Sequence, residues 1–386
     1  MDIEYVHFYV DDAARWRRWF LEAMGFQAAS PHGAIASIIA QAESERGITT
    51  EVVSCGGVSI ALSAATDSAN GVANYLDRHP PGVADLALRV VNLEASLQRA
   101  LRAGAKLHHP IRCHSLDRGW MRWAQVSGWG DLRHTLVEWR GDGVREAAQL
   151  YGLEVPRGFE EGQTWRSPLS PPATGWVSSI DHVVLNVPTG ELAAAVSWYE
   201  RALGFMPQQT FDIRTERSAL RSQVLVHSQG RVQLPINEPA SARSQIQEFL
   251  DVNRGAGVQH VALRTTDIVT AIAHLRQQGV QFLPVPASYY DQLQERPGFR
   301  LSEQQQRAIA QQEVLVDWRS DEPEALLLQA FTQPIFGAPT FFFELIQRQT
   351  YVADQTYRQA EGFGEGNFKA LFQAIEREQM QRGSLT

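Results

Sequence analysis

Apolar residues recur at three- and four-residue spacing in four places, each time after a short strand-like run and before a glycine. Trp16, Trp19, Phe20 and Ala23 share one helix face, behind Asp11 or Asp12 as a cap and ahead of Gly25. Leu93, Leu97, Ala100 and Leu101 precede Gly104, and Leu192, Val196, Tyr199 and Leu203 precede Gly204. Ile268, Ala271, Ile272 and Leu275, behind Thr266 or Asp267, precede Gly279. A glycine just past the last turn supplies the left-handed backbone that ends a helix. Strand-like stretches follow, as at 224–227, 232–236, 326–331 and 340–346. The pattern predicts an α+β protein in which a β-α pair followed by several strands occurs four times.

Three stretches depart from this rhythm. Residues 141–179 hold Pro156, Pro168, Pro171 and Pro172 among glycines and serines, as expected of a connection between two pairs of units. This predicts an N-terminal domain over 1–150, a linker over 151–178 and a C-terminal domain over 179–386. Residues 284–312 are polar and glutamine-rich, with a helix expected over 302–312. At the C-terminus, Phe368, Leu371, Phe372 and Ile375 form a further stripe behind Gly362-Phe363-Gly364-Glu365-Gly366. Such a stripe suits either a helix that closes over a pocket or a terminal helix packed on the core, and spacing fits both.

The two halves repeat one another. Tyr5-Val6-His7-Phe8-Tyr9-Val10 aligns with Ile180-Asp181-His182-Val183-Val184-Leu185, and the run from Val83 to Arg89 aligns with that from Val258 to Arg264. A third match sets the run from His134 to Glu138 against that from Thr340 to Glu344. On this alignment the second half presents His182, His260 and Glu344 where the first presents His7, Asp85 and Glu138. Two imidazoles and a carboxylate are the ligand set of a mononuclear non-haem Fe(II) site with open positions, and the carboxylate favours Fe(II) or Mn(II) over a metal that prefers soft ligands. A structural zinc site would instead be closed by four ligands, often thiolates. A lone strand histidine is more often a hydrogen-bonded residue than a ligand; the duplication is what shifts the balance here. The first half is expected to be a vestigial copy that supplies packing and subunit contacts in a homo-oligomer, although a second metal at His7, Asp85 and Glu138 stays open.

Bulk properties narrow the class. Over 386 residues, 44% apolar and 20% charged, the chain is that of a globular protein large enough for two or three well-buried cores. A net charge of −8 argues against a nucleic-acid partner, which would require a basic face. No apolar run approaches the ~18 residues of a membrane span, and no secretory leader is visible, so a cytoplasmic enzyme is expected. Cys55 and Cys113 make no disulfide framework and are expected as small buried residues.

At these residues the chain resembles the 4-hydroxyphenylpyruvate dioxygenases of the vicinal oxygen chelate superfamily. The resemblance is dense in the second half, through Leu234-Pro235-Ile236-Asn237-Glu238-Pro239, Ser244-Gln245-Ile246-Gln247, Gly255-Ala256-Gly257-Val258-Gln259-His260 and Leu328-Gln329-Ala330-Phe331-Thr332. It continues through the run from Pro339 to Arg348 and that from Gly362 to Phe368. The first half is similar more weakly, mainly through Gly130-Asp131 and the run from His134 to Glu138. The resemblance implies four βαβββ-type units paired into two open-barrel domains. It also implies an Fe(II) enzyme that converts 4-hydroxyphenylpyruvate and O2 to homogentisate and CO2, for tyrosine catabolism or for quinone and tocopherol supply.

His182, His260 and Glu344 match the family's iron ligands. Ser222, Asn237, Gln245 and Gln259 match polar residues that line the substrate pocket. Phe331, Phe342, Phe363 and Phe368 match its aromatic wall, with Asn367 beside them and Gln329 on the strand face of Phe331. Strand parity puts Phe342 with Glu344 and Gln329 with Phe331, but points Gln259 away from its neighbour His260, where support of a ligand is the alternative role. The rivals are a 4-hydroxymandelate synthase, from which Asn237 and Phe342 distinguish the chain, and a non-catalytic small-molecule-binding protein of the same superfamily, against which the intact ligand set argues.

Overall fold

In the computed structural model of the protein, the described residues are 1–29, 34–42, 47–116, 119–141, 175–215, 217–228, 232–353 and 356–383. The proline-rich connection falls mostly outside them. The first half runs β1 (Asp2–Tyr9), α1 (Ala13–Glu22), β2 (Gln27–Ala28), α2 (Ala34–Ala42), β3 (Ile48–Cys55), β4 (Val58–Ala65), α3 (Gly71–Arg78), β5 (Gly82–Arg89), α4 (Leu93–Arg102), β6 (Leu107–Leu116), β7 (Gly119–Ser127) and β8 (Arg133–Gly141). The second runs β9 (Ser179–Asn186), α5 (Leu192–Leu203), β10 (Phe205–Arg214), β11 (Ala219–His227), β12 (Gln233–Pro239), α6 (Gln245–Asn253), β13 (Gly257–Arg264), α7 (Ile268–Gln277), α8 (Ala287–Leu293), α9 (Glu303–Gln311), β14 (Leu315–Arg319), β15 (Glu322–Phe331) and β16 (Phe342–Arg348). A hairpin, β17 (Thr350–Ala353) and β18 (Thr356–Gln359), and a last helix, α10 (Glu365–Arg382), follow.

The predicted helices form where the stripes lie. Asp12 and Asp267 cap α1 and α7 by accepting from Arg15 N and Thr270 N, and Gly204 ends α5 at φ +77°. Ser302 and Gln305 close a capping box at the start of α9. Some details differ from expectation. Leu101 lies at the edge of its stripe and is exposed, Leu192 and Val196 are only half-buried, and Cys113 is exposed while Cys55 is buried. The short helices α2, α3, α6 and α8 were not anticipated.

Each half is one eight-stranded mixed sheet, ordered β2-β3-β4-β1-β5-β8-β7-β6 and β10-β11-β12-β9-β13-β16-β15-β14. This is the vicinal oxygen chelate fold. In the second sheet β9 and β13, the first strands of their units, pair antiparallel at the centre, and each pairs parallel with the last strand of its own unit, β12 or β16. The first sheet repeats this with β1, β5, β4 and β8. Three adjacent strands, β9, β13 and β16, are therefore the natural frame for a site assembled from residues distant in sequence.

Pairing also corrects the alignment of the two halves. Asp85 lies opposite Arg133 and Leu88 opposite Leu136, while His260 lies opposite Phe342 and Leu263 opposite Leu345. On that register Asp85 does correspond to His260, but Thr135, not Glu138, corresponds to Glu344. The β1–β5 and β9–β13 ladders superimpose, irregularities included, only if Tyr5 corresponds to His182 and His7 to Val184. His7, Asp85 and Glu138 are thus not a second copy of the ligand set. Asp85 accepts from Thr135 N (2.8 Å) and Oγ1 (2.5 Å), whereas Glu138 accepts from Leu93 N at the start of α4 and pairs with Arg122 and Arg140. Gln347, the counterpart of Glu138, likewise accepts from Ile268 N at the start of α7. The same face of the first sheet is filled by Ile35, Ile38 and Ile39 of α2, packed on Tyr5, Ala87, Met121 and Trp123.

The halves share a core. Phe341 and Phe343 point away from the second sheet's concave face and meet Phe8 of β1, with ring centroids 4.9 and 6.4 Å apart. His134 of β8 joins the halves as well: its Nδ1–H donates to Leu86 O (3.0 Å), and the Tyr199 hydroxyl of α5 donates to its Nε2 (3.1 Å). Among the described residues no helix is long and apolar enough to cross a membrane.

The buried His134 generates a stability prediction. Burial holds its pKa down at about 4 from an ordinary 6.5, with the Leu86 carbonyl offsetting only part of that. The unfolded chain takes up a proton near pH 6.5 and the folded one only near 4, so stability is lost as pH falls through this window and the loss levels off below it. This one group is expected to remove about 2 kcal/mol of unfolding free energy between pH 7 and pH 5. Urea midpoints across that range should fall less steeply for His134→Gln; parallel profiles would show that His134 titrates freely in the folded state.

Candidate metal centre and substrate cavity

His182 on β9, His260 on β13 and Glu344 on β16 bring one ligand atom each within 4.8 Å of the others, and they are the only such cluster among the described residues. His182 Nε2 lies 3.2 Å and His260 Nε2 3.4 Å from Glu344 Oε2. All three residues are buried.

Support of the donors is unequal. His182 Nδ1–H donates to Asp181 Oδ1 (3.0 Å), which leaves Nε2 facing the cluster. Asp181 is itself held by Arg264 (Nη2 to Oδ2, 2.5 Å) and by both sides of the Arg348 guanidinium (2.8 Å each). Glu344 Oε1 accepts from Gln329 Nε2 (2.9 Å), while Oε2 faces the imidazoles. His260 Nδ1 is buried with no partner among the described residues, and its ring stacks on Phe342 at 4.9 Å.

The charges explain what such a cluster accepts. Burial would raise Glu344, but the two imidazoles outweigh it and hold the carboxyl at about 2. Burial likewise opposes a charged His182, yet Glu344 and Asp181 overcome this and raise it to about 9, while burial keeps His260 low. Asp181, which burial would raise, is kept well below the carboxylate range by Arg348. The negative charge of Asp181 is thus neutralised by arginines. That of Glu344 is met only by imidazoles, and a divalent cation among the three donor atoms would complete it. The donor set therefore fits a metal ion of the Fe(II) or Mn(II) type.

A cavity opens on the cluster, and every pocket residue anticipated from the sequence lines it: Ser222, Asn237, Gln245, Gln259, Gln329, Phe331, Phe342, Phe363, Asn367 and Phe368. Phe342 and Glu344, and Gln329 and Phe331, enter from single strand faces as parity requires. Gln259 departs from parity for a visible reason. Val258 pairs with Leu185 but His260 with Val184, so Gln259 is an extra residue in the ladder, and the bulge lets neighbours share a face. Gln259 therefore lines the cavity beside His260. Sequence reasoning missed Val184, Phe211, Ile213, Leu220, Val224, Pro235 and Ile246, which complete the wall. Strand alternation with His182 and Ser222 could have found Val184, Leu220 and Val224.

Hydrogen bonds tie α10 to the cluster. The Tyr289 hydroxyl donates to Asn367 Oδ1 (2.8 Å), Asn367 Nδ2 to Gln329 Oε1 (2.9 Å), and Gln329 Nε2 to both Glu344 and Phe363 O. Phe368, Leu371, Phe372 and Ile375 of α10 form one side of the cavity. Among its walls, Gln245 keeps a buried Oε1 without a partner among the described residues.

The glyoxalase/bleomycin resistance protein/dioxygenase superfamily profile matches residues 179–296. The chain is 35% identical to the 4-hydroxyphenylpyruvate dioxygenase of Caenorhabditis elegans and 34% identical to that of Yarrowia lipolytica, in each case over 99% of this chain and 93% of the relative. Among solved structures, a mutant of 4-hydroxymandelate synthase from Streptomyces coelicolor superimposes with a TM-score of 0.75, at 27% identity and over 98% of each chain. Near-full-length identity of this order, on the same fold, means that the chain belongs to the 4-hydroxyphenylpyruvate dioxygenase family.

Proposed function

We propose that the chain is an Fe(II) dioxygenase that converts 4-hydroxyphenylpyruvate and O2 to homogentisate and CO2. The observation that carries this reading is the pairing of a two-histidine, one-carboxylate cluster with a cavity lined by aromatic rings and side-chain amides. His182, His260 and Glu344 would hold the metal, which supplies chelation of the substrate's own α-keto acid and the reduction of O2. The substrate's built-in keto acid removes any need for 2-oxoglutarate. With the metal meeting the anionic head, no lysine or arginine is needed in the cavity, and among the described residues none lines it.

The chain's own side chains do the rest. Phe331, Phe342, Phe363 and Phe368 sandwich the aromatic ring and keep water from the reacting centre. Gln245 Oε1, buried without a partner, is an acceptor suited to the phenol O–H, with Ser222, Asn237 and Gln259 alongside. Gln329 holds Glu344 in place. The C-terminal domain is the catalytic one in this reading, and the N-terminal half, its concave face plugged by α2, serves packing. A 4-hydroxymandelate synthase is the second reading, favoured by the structural likeness to one, and product identity separates the two.

Three outcomes are expected. Anaerobic metal analysis should find about one Fe(II) per chain, lost in His182→Ala and kept in His7→Ala; loss only in the His7 variant would refute the ligand assignment. Oxygen uptake should require 4-hydroxyphenylpyruvate and Fe(II) without 2-oxoglutarate, and chromatography should identify homogentisate; 4-hydroxymandelate as main product would establish the second reading. Phe342→Ile should spare Fe(II) binding but cut homogentisate formation by up to ~100-fold, because its ring stacks on His260 and a misplacement of ~1 Å has that effect. Unchanged rate and product would remove Phe342 from the wall.

The last helix is assigned the role of a gate. Deleting the chain from Gly362 onward removes no donor atom, so saturating Fe(II) should still load the site while oxygen uptake uncouples from homogentisate. Normal coupled turnover by the truncated protein would reduce α10 to packing.

A further inference from the structure

The ion cluster beneath His182 is larger than the orientation of one imidazole requires. Asp181 is fully buried beside the cavity, yet two guanidiniums converge on it. Burying Asp181 and Arg348 and half-burying Arg264 is costly, and a carboxylate and one arginine would already be neutral.

The first half shows which part of this cluster is architectural. On the register established by strand pairing, Glu4 corresponds to Asp181 and Arg89 to Arg264, and Arg89 Nε donates to Glu4 Oε2 at 2.6 Å. The counterpart of Arg348 is Trp139, whose Nε1–H donates to Glu4 Oε1 (3.2 Å). An acid–arginine pair across the two central strands is therefore common to both halves. Arg348 is the addition peculiar to the half that carries the donors.

The remaining donors of Arg348 explain it. Nε and Nη2 grip the two oxygens of Asp181, while Nη1 donates to Ala360 O (3.1 Å) and Gly362 O (2.9 Å), the backbone just ahead of α10. A planar fork can meet both partners at once, which an ammonium cannot. Gly362 and Gly364, at φ +85° and +77°, flank Phe363, whose ring stands 5.4 Å from that of His182. Arg264 reaches this stretch only through the Gln359 side chain (3.3 Å).

We propose that Arg348 is a positioning residue that couples the segment before α10 to the donor His182, so that docking of the closing helix and the set of the metal centre depend on each other. This rests on the reading of His182, His260 and Glu344 as metal ligands. Asp181 is the shared element: Arg348 steadies the carboxylate that orients His182, and the same guanidinium anchors the turn that delivers Phe363 to the cavity. Nothing in the coupling moves a proton or an electron.

The test compares the full-length protein with Arg348→Met, Arg348→Lys and Arg264→Met. It reads Fe(II) affinity by anaerobic competition with a chromogenic chelator, and amide exchange over residues 362–368 with and without Fe(II). Arg348→Met should weaken Fe(II) binding by about 10- to 100-fold, the range typical of lost support to a ligand, and should speed exchange over 362–368. Added Fe(II) should slow exchange there in the wild type but not in this variant. Arg348→Lys should regain part of the affinity through its charge but not the protection of 362–368; Arg264→Met should lower the thermal midpoint without changing that protection. If Arg348→Met fails to fold, the exchange pattern of Arg348→Lys decides. Wild-type affinity in Arg348→Met, or exchange over 362–368 that ignores position 348, would overturn the coupling. A wild-type chain that binds no Fe(II) would sink both proposals, whereas one that binds it but makes no homogentisate would sink only the substrate assignment.

Discussion

A buried carboxylate met by two imidazoles rather than by an arginine governs the C-terminal half. Glu344 keeps its charge although burial opposes it, because two imidazoles stand against one of its oxygens and Gln329 donates to the other. Their positions follow from the sheet. The first strands of two repeated units pair at its centre, and the last strand of the second unit lies beside them. Backbone ladders thus hold three donors that are 78 and 84 residues apart in sequence, and one side stays open to the cavity.

Duplication supplied this frame twice but only one half uses it for donors. The first sheet has the same strand order and the same bulges, yet Tyr5, Asp85 and Thr135 occupy the three sites. Asp85 is satisfied internally by Thr135 and Gln125, and burial raises its pKa. Such a carboxylate has no unmet charge to offer a cation. The isoleucines of α2 then occupy the face where the second half keeps a cavity.

Much of this was legible in the sequence, for physical reasons that also mark where legibility ended. Helix stripes and caps depend on neighbours within one turn, so Gly204 could be read directly and the caps of α1 and α7 narrowed to Asp11 or Asp12 and Thr266 or Asp267. Face-sharing within a strand depends on period two, which placed Phe342 with Glu344 and Gln329 with Phe331. Register between strands depends on partners that the sequence does not display. A shift of two residues preserves the apolar pattern, so His7 matched His182 in letters while Tyr5 occupies its place in the ladder. The bulge at Gln259 was hidden for the same reason, and with it the fact that Gln259 and His260 share a face. The short helix α6, which brings Gln245 and Ile246 to the cavity, was missed although Ile246, Phe249, Leu250 and Asn253 keep helical spacing.

In the proposed role of a gate, the last helix would be held mainly by apolar contacts. Along its cavity side α10 presents Phe368, Leu371, Phe372 and Ile375, which lose little by facing an aromatic ligand and much by facing water. Its polar attachments include Gly366 N donating to Asp317, Thr215 and Ser218 donating to Glu376, and Arg382 pairing with Glu248. Only Asn367 and the turn around Gly362 reach groups that also hold the donors, through Gln329 and Arg348. An apolar ring beneath the helix adds buried area on both sides and favours the docked state; an emptied, hydrated cavity removes that gain and leaves the attachments to hold it alone. In the proposed reading closure follows occupancy of the cavity, and Asn367, Gln329 and Arg348 would carry that closure to the ligands.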